Sequence, residues 1–162
     1  MRPKIEIRAA SVDDPALILR FVKELAAYER APEAVTATEE DIRHSLFGED
    51  AIVHAVICQV DDTPVGFAVY FFNYSTWLGR RGLYLEDLYV SPAYRRAGAG
   101  KALLKHLAGV ARSRGCGRLE WSVLDWNAPA IRFYESIGAE PLNEWVGYRL
   151  AGDALDRFAS GE

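Results

Sequence analysis

The sequence predicts a single α/β domain in which a central mixed β-sheet is flanked by helices. Strand-like runs and helical stripes follow the order β-α-α-β-β-β-α-β-α-β-β, and the 162 residues contain no repeat or linker. A long apolar helical stripe also separates two strand-like runs near the middle of the chain. Strands joined through a helix are expected to be parallel neighbours, so residues 1–162 are assigned to one domain with a mixed sheet.

The first half of the chain is expected to form two helices and a β-hairpin. Asp14 precedes Pro15, which predicts a capping carboxylate and a first-turn proline at the start of a helix. Thr38 is a capping hydroxyl before three acidic residues, and Gly48 ends that second helix. The predicted elements are a strand at 5–8, helices at 15–29 and 38–48, and antiparallel strands at 53–60 and 65–74.

The second half centres on a strand, a glycine-rich turn and a long helix. Residues 83–90 are mostly aromatic, β-branched or leucine, and Pro92 ends the strand. The helix that follows has its apolar residues three and four apart, and Gly115 lies just beyond its last turn. The remaining predicted elements are a strand at 118–124, a helix from Asn127 to Gly138, short strands at 139–142 and 145–150, and a helical turn at 153–158.

Composition and charge exclude several classes of protein. The net charge of −4 argues against general nucleic-acid binding and suits cationic small substrates. No apolar run reaches the roughly 18 residues of a membrane span, and residues 5–8 alternate where a signal peptide needs an apolar core. We therefore expect a cytoplasmic protein without a membrane partner. Cys58 and Cys116 are too few and too far apart for a disulfide framework or a metal site, so no metal is expected.

The turn between the central strand and the long helix is a candidate anion site. It reads Arg95-x-x-Gly98-x-Gly100 and is followed by Lys101, with Arg96 beside Arg95. Glycines let the backbone approach a ligand closely, and the first amides of a helix point outward at the positive end of its dipole. The natural ligand is a multiply charged phosphate group, although the same pattern also occurs in flexible turns with solvated arginines. The glycine spacing fits neither a P-loop nor a dinucleotide fingerprint.

The same turn resembles the pyrophosphate-binding motif of the GNAT superfamily of N-acetyltransferases, and further segments resemble its diamine (spermidine/spermine) acetyltransferase branch. Together these segments extend the resemblance over nearly the whole chain. They lie at 23–29, 65–71, 77–79, 84–87 and 126–134. The resemblance implies acetyl-CoA as co-substrate, no metal, a homodimer, and two central strands that splay apart to hold the pantetheine arm.

The resemblance also implies roles for individual residues. Tyr134 is expected to protonate the departing thiolate, and a phenol of pKa near 10 is a reasonable donor to it. Glu86 is expected to remove the amine proton through water. The residues expected to contact acetyl-CoA are Leu88, Val90, Arg95, Arg96, Gly98, Ala99, Gly100, Lys101, Asn127 and Tyr134.

Carboxylates and an indole are candidates for the amine pocket. Glu86 and Asp87 are adjacent in an otherwise apolar strand, and burying a carboxylate without a partner is costly, which favours a functional role for at least one. The carboxylates of Glu29, Glu33 and Glu144 could pair with an ammonium group, and the indole face of Trp77 could attract it. The expected acceptor is a small primary amine, a diamine or polyamine or a thialysine-like amine.

Other functions stay open on the sequence alone. The acceptor could instead be an amino acid, an aminoglycoside, or a protein N-terminus or lysine. A non-catalytic acyl-CoA sensor would keep the glycine turn but would not need Tyr134. A mechanism with Cys58 or Cys116 as acetylated nucleophile is disfavoured, because no histidine lies beside either cysteine in the sequence.

Overall fold

The chain divides into two units, Met1–Ser122 and Val123–Glu162. The computed structural model describes every residue from Met1 to Glu162. The first unit contains a five-stranded sheet and three helices, and the second contains two helices. None of the helices combines the length and the apolar character needed to cross a bilayer.

The sheet is mixed, as the sequence predicts. Its strands lie in chain order, β1 to β5, with β1 to β4 antiparallel and β4 parallel to β5. The hairpin between β2 and β3 turns at Asp61 and Asp62, both with positive φ. The strands are β1 Ile5–Ala9, β2 His54–Val60, β3 Thr63–Ser75, β4 Arg80–Val90 and β5 Leu119–Glu120.

The helices also follow the predicted order. Two short 3-10 turns, Pro32–Ala34 and Pro92–Ala97, precede α2 and α3 respectively. Gly115, with φ of 69°, follows α3 as the predicted left-handed stop. The helices are α1 Pro15–Tyr28, α2 Glu39–Phe47, α3 Ala99–Ser113, α4 Ala128–Ser136 and α5 Gly152–Ser160.

The core lies on both faces of the sheet. Phe21 of α1 is fully buried, and its ring packs 5.6 Å from that of Phe67 and 6.0 Å from that of Tyr89. The apolar stripe of α3 buries Leu103 and Leu107 completely. Because alternate strand residues point to opposite faces, the sheet is covered by α1 on one side and α3 on the other.

The two predicted N-caps have different outcomes. The capping box of α2 is confirmed: the Thr38 hydroxyl accepts from the Asp41 amide at 3.1 Å, and the Asp41 carboxylate accepts from the Thr38 amide at 2.8 Å. The prediction that the Asp14 carboxylate caps α1 is wrong, although Asp14 occupies the N-cap position. Both terminal nitrogens of Arg8 donate to it, at 2.7 and 2.9 Å, and the Ser11 amide donates at 2.7 Å. A bidentate charged pair is stronger than a capping bond, which explains the change of partner.

The last predicted strands are absent. β5 covers only Leu119–Glu120 instead of 118–124, and residues 139–150 contain no strand. A run of high β-propensity becomes a strand only where a neighbouring strand takes up its backbone hydrogen bonds. Within residues 123–162 no such partner forms, and Trp145 and Tyr148 stay 66% and 97% exposed.

Candidate active site

The glycine turn has the geometry of an anion site. The 3-10 turn Pro92–Ala97 leads into Gly98, whose φ of 90° is left-handed, and Gly98 is the N-cap of α3. The first intrahelical bond runs from the Ala102 amide to the Gly98 carbonyl at 3.0 Å, so the preceding amides of α3 have no helical partner. Ala99, by contrast, is fully buried and exposes no surface to a ligand. Arg96 and Lys101 are exposed beside these amides and add positive charge.

Arg95 is held by the protein itself. Its Nε donates to the Val90 carbonyl at 3.0 Å, and its guanidinium lies 4.6 Å from the Tyr28 ring centroid and 5.8 Å from that of Tyr89. These contacts, which we call the Arg95 stack, join α1, the end of β4 and the turn. The stack is not predictable from local sequence, because its members are far apart in the chain. The only sequence signal was that Tyr28 and Arg95 both belong to the segments that carry the family resemblance.

The edge of β4 that faces β5 opens beyond the first residues of the strand. The parallel ladder contains only the pairs Leu83 with Leu119 and Tyr84 with Glu120. On the opposite edge, β4 stays paired with β3 as far as Val90. The predicted splaying of the two parallel strands stays a prediction, because β5 itself ends at Glu120. Leu88 and Val90 lie in the part of β4 that has lost its β5 partner.

A cluster of three carboxylates, Glu29, Glu86 and Asp87, forms where α1 ends beside β4. The ladder between β3 and β4 shifts so that Val69 pairs with Asp87 and Tyr70 with Leu85, which leaves Glu86 as a bulge residue. Glu86 is exposed and Asp87 is half-buried. Burial, and after it the negative charges of Glu86 and Glu29, raise the pKa of Asp87 to about 6. The cluster thus favours a bound cation.

Glu29 follows the last residue of α1, Tyr28, at the C-cap. Glu29 is exposed to solvent. Partial desolvation of its carboxyl by the surrounding protein nevertheless raises its pKa. Its charge acts on Asp87, and α1 packs against β4. The structure therefore brings together three of the residues predicted for the amine pocket.

Trp77, Glu33 and Glu144 are placed differently. Trp77 lies in the turn before β4 and is 85% exposed. Because a strand rises about 3.3 Å per residue, the start of β4 is about 20 Å from Glu86. Trp77 is thus not part of the carboxylate cluster within one chain. Glu33 is exposed in the 3-10 turn Pro32–Ala34, and Glu144 is exposed in the segment without regular structure.

Tyr134 and Asn127 both belong to the second unit. Asn127 occupies the N-cap position of α4, and its carbonyl accepts from the Ile131 amide at 3.1 Å. Tyr134 lies near the end of α4 with its ring 5.8 Å from that of Phe133. The two residues are seven apart, which places them on one face of the helix. Their roles toward acetyl-CoA stay predictions.

A cysteine nucleophile is disfavoured by the surroundings of Cys58. This residue is fully buried in β2, and burial raises the pKa of its thiol to about 11. A thiol of that pKa is almost entirely protonated at neutral pH, whereas the thiolate is the nucleophile. No group of three or more histidine, cysteine or carboxylate side chains is placed to hold a metal ion.

A cavity of about 270 Å³ lies away from these residues. Its lining includes His54, Tyr70 and His106 and none of the predicted site residues. His54 pairs with Tyr70 across the ladder of β2 and β3, whereas the glycine turn follows Val90, which pairs with Gly66 near the start of β3. The cavity is therefore level with the middle of β3, where Tyr70 pairs with Leu85, and not with the end that carries the glycine turn.

The family model and the two relatives described here, all similar to this chain, are acetyltransferases. The model of the acetyltransferase (GNAT) family matches residues 19–139. The thialysine N-epsilon-acetyltransferase of Bos taurus is 39% identical over 96% of this chain and 97% of its own length. The human spermidine/spermine N(1)-acetyltransferase-like protein 1 is 38% identical over 90% of this chain and 22% of that protein. An integron cassette protein from the mobile metagenome of V. cholerae superposes with a TM-score of 0.79 at 30% identity and 98% coverage of both chains.

Proposed function

Because this chain belongs to the acetyltransferase (GNAT) family and is an acetyl-CoA-dependent amine N-acetyltransferase, we propose that its acceptor is a small cationic primary amine. The acceptor class is a diamine, a polyamine or a thialysine-like amine. The single observation that carries this proposal is the cluster of Glu29, Glu86 and Asp87, whose mutual repulsion a cation relieves. The names of the bovine and human relatives support the same class.

We assign the pyrophosphate of acetyl-CoA and its acetyl-pantetheine arm to different parts of the first unit. The amides around Gly98 and Gly100, with Arg96 and Lys101, bind the pyrophosphate. Supporting observations are the left-handed Gly98 and the unpartnered amides at the start of α3. The amides of Leu88 and Val90 bind the pantetheine arm and the acetyl carbonyl along the open edge of β4. Arg95 organises the turn, and Asn127 and Tyr134 of the second unit stay predicted contacts of acetyl-CoA.

The proposed chemistry is direct transfer. Glu86 takes a proton from the ammonium through water, and the free amine attacks the thioester carbonyl. The carbon–nitrogen bond forms and the carbon–sulfur bond breaks. Tyr134 donates its proton to the departing thiolate, the attacking nitrogen loses its second proton, which restores the phenol, and Glu86 releases the first proton to solvent. No external oxidant or reductant is needed.

A matched pair of amines tests the acceptor class. Putrescine and butylamine have the same carbon chain and differ in the second amino group. We expect kcat/KM to be at least about tenfold higher for putrescine, since an ion pair to the cluster contributes on the order of 1.5 to 3 kcal/mol. Release of the CoA thiol measures turnover. Equal values for the two amines would exclude a role for the cluster in recognising a second charge.

The role of Tyr134 is tested by Tyr134→Phe. The ring is kept and only the proton donor is lost, so kcat on the best amine should fall by roughly 10² to 10⁴ while CoA affinity changes much less. Phe133→Leu is the neighbouring control, which changes the helix without removing the phenol. A value of kcat within about threefold of wild type in Tyr134→Phe would refute the acid role.

We also propose that the chain forms one domain and assembles as a homodimer. The family match spans residues 19–139 and so crosses the boundary between the units, which supports one N-acetyltransferase domain over residues 1–162. No residue of 123–162 is buried, and Trp145, Val146 and Phe158 are 66%, 74% and 75% exposed, which supports a partner subunit. Light scattering should give twice the 18.1 kDa chain mass. A monomer mass at all concentrations would refute the dimer.

A cytoplasmic location is also proposed. Both cysteines are unpaired, in keeping with a reducing compartment. Cell fractionation with an antibody to the native protein tests this location. Recovery of the protein outside the cytoplasmic fraction would refute it.

A further inference from the structure

The Arg95 stack connects the amine cluster to the pyrophosphate turn. Tyr28, whose ring lies 4.6 Å from the Arg95 guanidinium, is the last residue of α1. Glu29, the next residue, acts on Asp87 through its charge. One short stretch of chain therefore packs against Arg95 through Tyr28 and acts on the carboxylate cluster through the charge of Glu29.

The end of α1 is constrained to move as a unit. The Ala31 amide donates to the Ala26 carbonyl at 2.9 Å, and the Arg30 amide donates to the Ala27 carbonyl at 3.1 Å. This pattern closes the helix, with Arg30 at a left-handed φ of 65° where glycine is usual. Tyr28 and Glu29 are consecutive residues within this hydrogen-bonded closure. A displacement of Glu29 thus displaces Tyr28.

The other side of the stack is equally fixed. Arg95 donates through Nε to the carbonyl of Val90, the last residue of β4. Its guanidinium also lies 5.8 Å from the Tyr89 ring, which packs against Phe21 of α1. Arg95 lies in the 3-10 turn that leads directly into Gly98. Arg95 thus links the last residue of β4 to the turn that leads into Gly98.

We propose that the Arg95 stack couples the two substrate sites, so that an amine bound at Glu29 and Asp87 tightens the binding of CoA at the glycine turn. The inference rests on the proposed function in one respect, that this cluster holds the amine. A cation there draws the end of α1 toward β4 and holds the Tyr28 ring against Arg95. The amides at Gly98 and Gly100 are then kept in their ligand-binding arrangement. Arg95 is a positioning residue, and Tyr28 transmits the effect.

Calorimetric titration of CoA with and without an amine measures the coupling. CoA lacks the acetyl group, so no turnover occurs, and the amine is the one that the wild-type protein acetylates fastest. We expect saturating amine to lower the Kd of CoA by about fivefold or more in the wild type, within the usual range for coupled sites. By reciprocity, CoA should tighten amine binding by the same factor.

Substitutions in the stack separate coupling from folding. Tyr28→Leu removes the ring and should reduce the coupling factor to less than about twofold. Tyr28→Phe keeps a ring over the guanidinium and should retain the coupling. Arg95→Lys loses the planar group and the Nε bond, so both the coupling and CoA affinity alone should fall. Phe72→Leu is the matched control, because Phe72 lies under Arg81 at 5.2 Å in another part of the sheet, and it should keep the coupling.

The outcomes distinguish this inference from the proposed function. Full coupling in Tyr28→Leu, or no coupling in a wild-type protein that acetylates diamines, overturns the coupling and leaves the proposed acceptor intact. Equal loss of coupling in Tyr28→Leu and Phe72→Leu also overturns it, because the effect would then be general destabilisation. If no diamine, polyamine or thialysine is acetylated, the proposed acceptor fails and the coupling falls with it.

Discussion

Asp87→Asn should stabilise the folded protein at neutral pH and weaken its binding of cationic amines. The carboxyl is half-buried, and its charged form is disfavoured by burial and by the charges of Glu86 and Glu29. Asparagine has nearly the same shape and no charge, so it removes both penalties. Stability would then be gained by removing a residue of the proposed amine site, a common trade-off at active sites.

The magnitude follows from the pKa. The carboxyl pKa rises from its ordinary 3.8 to about 6 in the folded protein, and one pKa unit corresponds to about 1.36 kcal/mol. The folded state therefore holds this proton more tightly than the unfolded state. The stabilisation is complete below pH 3.8, declines as the pH rises from there, and is lost above about pH 6. The variant lacks this titration, so its advantage should grow from near zero at pH 4 to at most about 3 kcal/mol at pH 7.

Urea denaturation at pH 4, 5, 6 and 7 measures this difference, together with the KM for putrescine at pH 7. We expect KM to rise by about tenfold or more in Asp87→Asn, because a charged hydrogen-bond partner is lost. Asp50→Asn is the matched control at an exposed position and should stay within about 0.5 kcal/mol of wild type at every pH. An Asp87→Asn protein no more stable than wild type at pH 7, or a difference independent of pH, would refute the argument.

The glycine turn and the Arg8–Asp14 pair give two further predictions. Gly98→Ala places a side chain at a φ of 90° and should lose about 1 kcal/mol of stability and several-fold in CoA affinity. In Gly100→Ala the new Cβ lies in the helix, 3.9 Å from the Val90 side chain, and the variant should gain up to about 1 kcal/mol of stability. Thermal melts compare the stability of the two variants, and calorimetry compares their CoA affinity. Equal stability changes would contradict the left-handed assignment of Gly98. Asp14→Asn should lose about 1 to 3 kcal/mol at pH 7, because the Arg8 hydrogen bonds hold the pKa of Asp14 below its usual value. The loss should shrink as the pH falls through that pKa, and a constant loss from pH 7 to pH 2 in denaturation experiments would argue against it.

The sequence by itself determined the features that depend on neighbouring residues. The hairpin of β2 and β3, the capping box at Thr38 and the α3 helix each follow from residue types at short fixed spacings. The glycine turn is equally local, since a left-handed Gly98 before a helix gives the backbone geometry of an anion site without distant residues. Its position after the central strand, together with the resemblance, was enough to identify the family.

Tertiary structure decided the features that depend on pairs distant in the chain. Residues near Trp145 have strand propensity, but a strand requires a partner edge, and none forms within residues 123–162. Asp14 is a residue type typical of a helix N-cap, but in the folded protein Arg8 lies close enough to form a bidentate pair with its carboxylate instead. The bulge at Glu86 and the proximity of Glu29 to Asp87 arise from strand register and helix packing. Local periodicity indicates which residues are buried. How the elements pack decides which charged groups lie close together, and this packing gives Asp87 its raised pKa.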